Sequence, residues 1–259
     1  MMESDNISRS QQVVSGQGTD HRVALITGAN KGIGFEIARQ LARAQVTVLL
    51  GARDSARGEA AAVALRSEGL DARFVHLDVS DAASVQHAAA IIGGWYGRLD
   101  ILVNNAGIND AADGPPGSAD IDAAKRVFDT NFFGPLAVTQ AMLPLLRQAP
   151  AARIVNMSST LGSLASNGDP ASPYYGVRPI AYNASKAALN MLTVTLAEEL
   201  RDATIAVNAV CPGYVSTDLN GHTGYLSPQD AAATPVRLAL LTDASVTGRF
   251  ISAEGDVPW

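Results

Sequence analysis

Tyr182 and Lys186 stand four residues apart in the segment YNASK. On a helix that spacing projects both side chains from one face. The pair suits proton transfer. A phenol has an ordinary pKa of about 10, too high for efficient proton exchange near neutrality. A neighbouring ammonium favours the phenolate, so Lys186 is expected to lower the Tyr182 pKa. Lys186 could also donate hydrogen bonds to a ribose. Upstream, the apolar run ARIVNMSS ends in two adjacent serines, Ser158 and Ser159. Alternation at a strand end points them in opposite directions, so one hydroxyl is available to a substrate oxygen. Tyr174 and Tyr175 have Arg178 and Pro179 four residues on, not lysine, and read as packing in a loop or as the rim of an entrance.

A second set of residues has the composition of a phosphate cradle. Thr27-Gly28-Ala29-Asn30-Lys31-Gly32-Ile33-Gly34 follows the β-branched run RVALI and leads into helical spacing at Ile33, Ile37, Ala38 and Leu41. Glycines there allow a tight strand-to-helix turn and close approach of a pyrophosphate, which meets the free N–H groups of the helix. The spacing is Gly-x-x-x-Gly-x-Gly. The next strand ends at Gly51-Ala52-Arg53-Asp54. A carboxylate there would suit the free ribose hydroxyl of NAD, whereas a 2′-phosphate needs cations. Arg53, with Lys31 from the turn, favours NADP(H) over NAD, and Asp54 is the competing acid.

Other reactive residue types carry less. Cys211 is the only cysteine, which excludes an intramolecular disulfide, and it reads as a small buried apolar residue. The four histidines, His21, His76, His87 and His222, show no paired metal spacing, so no metal is expected. These features suggest a reducing, cytoplasmic setting. No apolar run reaches the ~18 residues of a membrane helix, and the first residues show no secretory h-region.

The elements that must position these groups follow from the hydrophobic pattern. Of 259 residues, 47% are hydrophobic and 17% charged, against roughly 25% charged in average domains. That composition argues against disorder. The net charge of −6 gives no overall attraction to nucleic acid or anionic membrane. Short strand-like runs (RVALITG, VTVLLGAR, ARFVHLDV, LDILVNNAG, ARIVNMSS, TIAVNAVCPG and GRFISA) alternate with helical segments. The helices are expected near 54–68, 82–96, 119–148, 179–201 and 227–242. Such alternation predicts an α/β fold, a Rossmann-type doubly wound sheet of about seven parallel strands with helices on both faces. Residues 166–179 read as a Pro/Gly/Ser-rich loop, 1–20 as a flexible tail and 21–259 as one catalytic domain.

The ordered motifs TGANKGIG (27–34), LDV (77–79), NNAG (104–107), TNFFG (130–134), IVNMSS (154–159), YNASK (182–186) and CPGYVSTDL (211–219) resemble the short-chain dehydrogenase/reductase family across nearly all of residues 22–259. The details are most similar to its carbonyl-reductase branch. The resemblance implies a catalytic set of Asn131, Ser159, Tyr182 and Lys186. Ser159 would bind the substrate oxygen, Tyr182 would supply the proton, and Asn131 would hold a water in a relay with Lys186 or stabilise a helix kink. It assigns cofactor contacts to Gly28, Asn30, Lys31, Gly32, Ile33, Gly34 and Arg53. Asp78 and Val79 would meet the adenine, Asn105 the adenosine ribose, with Asn104 more structural, and Ala106 and Gly107 would leave room. Pro212, Gly213, Val215 and Thr217 would hold the nicotinamide carboxamide. The implied activity is NADPH-dependent reduction of a ketone or aldehyde, reversible as alcohol oxidation. Reduction of 3-oxoacyl thioesters and a non-catalytic NADP-sensing regulator are the alternatives. A short loop at 218–226 suggests an open pocket, Ser227-Pro228 an N-cap with Pro at N1. The spacing of 23 residues from Ser159 to Tyr182 is longer than usual in the family and leaves monomer and homo-oligomer both open.

Overall fold

The computed structural model describes residues 21–259; the expected tail at 1–20 lies outside the described residues. The apolar runs form strands β1 (Val23–Thr27), β2 (Thr47–Ala52), β3 (Ala72–His76), β4 (Ile101–Asn104), β5 (Ala152–Met157), β6 (Ile205–Val210) and β7 (Arg249–Ser252). Each of β1, β2, β4, β5 and β6 is buried throughout, as expected of strands covered on both faces. Their order is β3-β2-β1-β4-β5-β6-β7, all parallel. A two-residue strand β8 (Gly255–Asp256) closes the edge by antiparallel pairing with β7, an addition to the seven expected strands.

Helices α1 (Gly32–Arg43), α2 (Ser55–Ser67), α3 (Ala82–Tyr96), α4 (Ile121–Phe128), α5 (Gly134–Leu146), α6 (Leu164–Gly168), α7 (Ile180–Glu199), α8 (Pro228–Ala231) and α9 (Ala233–Leu240) connect the strands. Alternation along β1 divides the core. Ala24 and Ile26 face Ile37 and Leu41 of α1 and Leu238 of α9. Val23 and Leu25 face Ile92 of α3, Val138 and Met142 of α5 and Leu196 of α7. Full burial of each such side chain contributes about 1.5–3 kcal/mol.

The structure departs locally from the sequence pattern at three places. The helical run expected at 119–148 contains one π-helical turn, Asp129–Phe133, between α4 and α5. The run at 227–242 is divided into α8 and α9, with Ser227 capping α8 through Asp230 N, as its Ser-Pro start predicts. The expected loop at 166–179 begins inside α6, whose cap is Ser163 accepting from Ser166 N.

The sheet order reverses between β1 and β4. Ligands of open α/β sheets bind at such a switch point, beyond the carboxyl ends of the strands. A cleft of about 670 Å³ lies there.

Candidate active site

The glycine turn forms one wall of this cleft. Gly28 and Gly32 have φ of +64° and +59°, a conformation that other residues adopt at a cost. A Cβ at Gly34 would lie 2.4 Å from Asn105 Nδ2 and 2.7 Å from Gly28 O, so only glycine lets α1 start this close to β4. Lys31 is the N-cap of α1, and no side chain caps that helix, which leaves its first turn directed at the cleft. Gly28, Asn30, Lys31, Gly32, Ile33 and Gly34 all line the cleft, as do Arg53, Asp78, Val79, Asn105, Ala106 and Gly107.

The adenosine end differs from expectation in two ways. Lys31 is not a free cation beside Arg53, because its ammonium pairs with the Asp218 carboxylate. Asp54, which also lines the cleft, is engaged by Arg57. Its Oδ1 caps α2 by accepting from Arg57 N (2.9 Å), and its Oδ2 accepts from Arg57 Nε (2.9 Å). These bonds hold the carboxyl below its ordinary pKa. Arg57 also lines the cleft and was missed in the sequence reading. The signal lay in its position three residues after a helix-capping aspartate. Burial would raise the Asp78 carboxyl, but hydrogen bonds from the Ser80 hydroxyl (2.6 Å) and amide (3.0 Å) hold it low. Asp78 is therefore anionic and remains an acceptor.

Asn105 carries a structural load that the expected ribose contact did not include. Its Nδ2 donates to Thr27 O (2.8 Å) and Gly28 O (3.3 Å), and its backbone N donates to Thr27 Oγ1 (2.9 Å). Its amide nitrogen is thus turned into the glycine turn rather than out to a ligand. Asn104 is structural, as read: Nδ2 donates to Asn156 Oδ1 (2.8 Å) and Thr139 Oγ1 (3.1 Å).

At the other end of the cleft, α7 presents Tyr182 and Lys186 on one face. Lys186 Nζ donates to Met157 O (2.8 Å), at the end of β5, and lies 5.6 Å from the Tyr182 ring centroid. Burial brings the Lys186 ammonium down to about 8. The expected lowering of the phenol by Lys186 is not what the structure shows. Burial pushes Tyr182 up to about 12, and the Ser159 hydroxyl offsets only part of this. The physical reason is that desolvation penalises the phenolate more than the neighbouring groups favour it.

The two serines separate as strand alternation requires. Ser158 Oγ donates to Asn190 Oδ1 (2.6 Å) and is buried. Ser159 turns its hydroxyl toward Tyr182 and accepts from Leu161 N (3.2 Å). Ser158 borders the cleft and Ser159 lies just beyond its lining. Gly162 sets the distance of this turn from α7: a Cβ there would meet the Lys186 backbone at 2.7 Å.

Asn131 sits in the π turn, fully buried. Its Oδ1 accepts from Ile108 N (2.8 Å), and its Nδ2 donates to Ile108 O (2.8 Å) and Ser185 Oγ (3.1 Å). Asn131 Oδ1 and Lys186 Nζ flank Gly107, each 3.5 Å from where its Cβ would stand. The side chain thus ties the loop after β4 to α7, and one Oδ1 lone pair remains.

Of the expected carboxamide clamp, Pro212 and Thr217 line the cleft, whereas Gly213 and Val215 do not. Val215 is buried because it bridges to Leu226, and its carbonyl accepts from Asn220 Nδ2 (2.9 Å). A Cβ at Gly213 would lie 2.6 Å from Leu226. The loop beyond is less open than its length suggested. Residues 218–220 form a 3-10 turn tied to Lys31 on one side and, through Asn109 Nδ2 to Leu219 O (2.7 Å), to the other. Cys211 is buried, and its Sγ accepts from Thr160 N (3.3 Å) and Thr160 Oγ1 (3.1 Å). Tyr174 and Tyr175 are partly exposed and do not line the cleft, and Arg178 lies 4.6 Å above the Tyr175 ring.

Comparisons with known proteins agree with this geometry. The profile of the short chain dehydrogenase family matches residues 22–224. The chain is 37% identical to carbonyl reductase [NADPH] 1 of Sus scrofa over 278 residues, covering 92% of this chain and 94% of that protein. It is 35% identical to (-)-isopiperitenone reductase of Mentha piperita over 301 residues, covering 88% and 95%. The NADPH-bound carbonyl reductase from chicken fatty liver superposes with a TM-score of 0.81 at 31% identity, covering 92% of this chain and 99% of that one. With the reversed parallel sheet, the glycine turn and the Ser159, Tyr182 and Lys186 constellation all in place, the match has a physical basis, and the chain belongs to the short-chain dehydrogenase/reductase family.

Proposed function

We propose that this protein reduces a ketone or aldehyde to an alcohol with NADPH, and that Tyr182 is the proton donor. The observation that carries the reading is Tyr182 and Lys186 at one end of a cleft, with the Ser159 hydroxyl beside Tyr182, while the other end holds the glycine turn, Arg53 and Arg57. The cradle fits a dinucleotide: two positive-φ glycines, a third that a Cβ would block, and a helix start with no side-chain cap. Arg53 and Arg57 would meet a 2′-phosphate, and Asp78 an amino group. When bound, NADPH supplies the hydride.

The chain's own residues do the rest. The Ser159 hydroxyl donates to the carbonyl oxygen and stabilises the charge that develops there. Tyr182 is fully protonated at neutral pH, which is the form a donor needs. The alkoxide formed by reduction is more basic than any phenolate, so the proton passes from Tyr182 Oη to it. Lys186, with two N–H groups left after Met157 O, steadies the phenolate that results. Asn131 holds the loop that frames Lys186 and keeps one acceptor site for a water that returns a proton.

A cofactor-consumption screen with NADPH and NADH against ketones, aldehydes, quinones and an acetoacetyl thioester tests the reading. Turnover is expected with NADPH and simple carbonyls. In Tyr182→Phe, turnover should fall by about 10²–10⁴-fold while NADPH binding is kept. Retention of most activity would exclude Tyr182 as donor, and preference for the thioester would move the substrate class to 3-oxoacyl thioesters.

A further inference from the structure

Helix α7, which carries Tyr182 and Lys186, begins without a cap of its own. Its N-cap is Pro179, whose side chain supplies no hydrogen bond. The amides of a helix's first turn have no intrahelical partner, and leaving them unpaired costs stability. Here they are met by a loop far away in sequence. Ile180 N donates to Gly114 O (3.0 Å), Ala181 N to Asp113 Oδ1 (3.0 Å) and Tyr182 N to Asp113 Oδ2 (2.9 Å). Asp113 and Tyr182 are 69 positions apart.

Two oxygens of one planar carboxylate grip two consecutive amides, one of them the backbone of the proposed proton donor. Such a grip fixes both the height and the rotation of the first turn. The anion also complements the positive end of the helix dipole, and hydrogen bonds to a charged acceptor are stronger than neutral ones. Asp113 is itself held. Gly114 N donates to its Oδ1 (2.8 Å), and its own amide donates to Asp110 O (3.0 Å). The Asp110 carboxylate accepts from Ala112 N (3.0 Å) and from Arg126 of α4 (2.8 Å). The same loop begins with Ile108 and Asn109, which line the cleft, and Ile108 is bonded to Asn131. One segment therefore borders the cofactor cleft and holds the start of the catalytic helix.

We propose that Asp113 is a positioning residue for the reduction, its carboxylate setting where the Tyr182 phenol stands relative to Ser159 and Lys186. The role rests on the reading of Tyr182 as proton donor. Misplacement by about 1 Å costs a reaction roughly 10²-fold, so the grip acts on turnover rather than on cofactor binding.

The test compares Asp113→Ala, which removes both acceptors, with Asp113→Asn, which keeps one. Steady-state kinetics use NADPH with para-nitrobenzaldehyde, NADPH affinity is read by fluorescence titration, and amide hydrogen exchange is followed by mass spectrometry. Asp113→Ala should lower kcat by about ten- to a hundredfold, with NADPH affinity within about twofold and a larger solvent deuterium isotope effect on kcat. Asp113→Asn should recover part of kcat. Exchange should quicken at residues 180–184 and stay unchanged in β4 and β5. An unchanged kcat despite faster exchange would overturn the positioning role. So would a parallel fall of kcat, NADPH affinity and Tm, which would make Asp113 an ordinary structural residue. The exchange readout does not depend on Tyr182 chemistry. If Tyr182→Phe kept its activity while exchange at 180–184 still responded to Asp113→Ala, the proton-donor reading would fail and the grip would stand.

Discussion

Tyr182 and Lys186 are each displaced by burial, in directions that leave both neutral forms more accessible. The Lys186 ammonium is held at about 8 in the folded protein against 10.5 ordinarily. Between those values the unfolded chain binds more protons than the folded one, so the contribution of this group to stability rises with pH across that window. Relative to Lys186→Met, the unmodified protein should therefore gain up to roughly 3 kcal/mol between about pH 7.5 and pH 10. Urea denaturation at the two pH values measures it, and parallel curves for both proteins would show that the buried ammonium is not strained. Tyr182 has the opposite sign. Its folded value of about 12 exceeds the ordinary 10, so stability is lost above about pH 10, outside the window used. At this scale the sequence identified Tyr182, Lys186 and the Ser158/Ser159 pair. It misjudged the phenol, because desolvation is a property of the packed site and not of the four-residue spacing.

The loop at 217–222 shows how an element acts where its residues alone do not. Thr217 and Asn220 cap one another, and the resulting turn is bonded across the cleft to Lys31 and to Asn109. Lys31 and Asp218 are both more than half exposed, so solvent screens their pair and it adds little to stability. Its removal in Asp218→Ala should leave Tm nearly unchanged. NADPH release should speed up by a few-fold, up to about fivefold, because one tie over the cleft is gone. Stopped-flow fluorescence on mixing with excess NADP resolves this, and an unchanged release rate would show that the tie does not restrain the cofactor. The helices themselves were legible to within a few residues. The π turn at Asp129–Phe133 was not, because nothing in DTNFF departs from helical patterning. Its position coincides with Asn131, whose amide is spent on Ile108 and Ser185, and π turns are frequent at functional sites.

For the molecule as a whole, a sheet covered on both faces explains why only 17% of residues are charged. The net charge of −6 coexists with a cleft that holds Lys31, Arg53 and Arg57, though Lys31 and Arg57 are each paired with an aspartate. Arg53, exposed just after β2, lines the cleft without such a partner, and we propose it as the main discriminator between cofactors. A ligand that binds only the folded state raises stability by about 2.7 kcal/mol at a hundred times its Kd. NADPH should therefore raise Tm more than NADH at equal concentration, and Arg53→Ala should bring the two shifts together. A thermal-shift titration checks this; equal shifts in the unmodified protein would remove the preference for the 2′-phosphate. Among the described residues, no helix is long and apolar enough to cross a membrane.

The sequence by itself determined the kinds of element, their parallel arrangement, the glycine turn and the Tyr182–Lys186 pair. Those are local signals: strand alternation repeats every two residues and helical faces every three or four. Only the tertiary structure decided the partners of the two serines, Asn190 for Ser158 and the Leu161 amide for Ser159. It also decided that Lys31 is claimed by Asp218, 187 positions away, and that Asp113 caps α7 from 69 positions away. It turned Asn105 inward and buried Val215 against Leu226. These outcomes depend on which backbone amides and charged groups packing leaves without a partner. That is known only once the sheet has brought distant segments to its carboxyl edge.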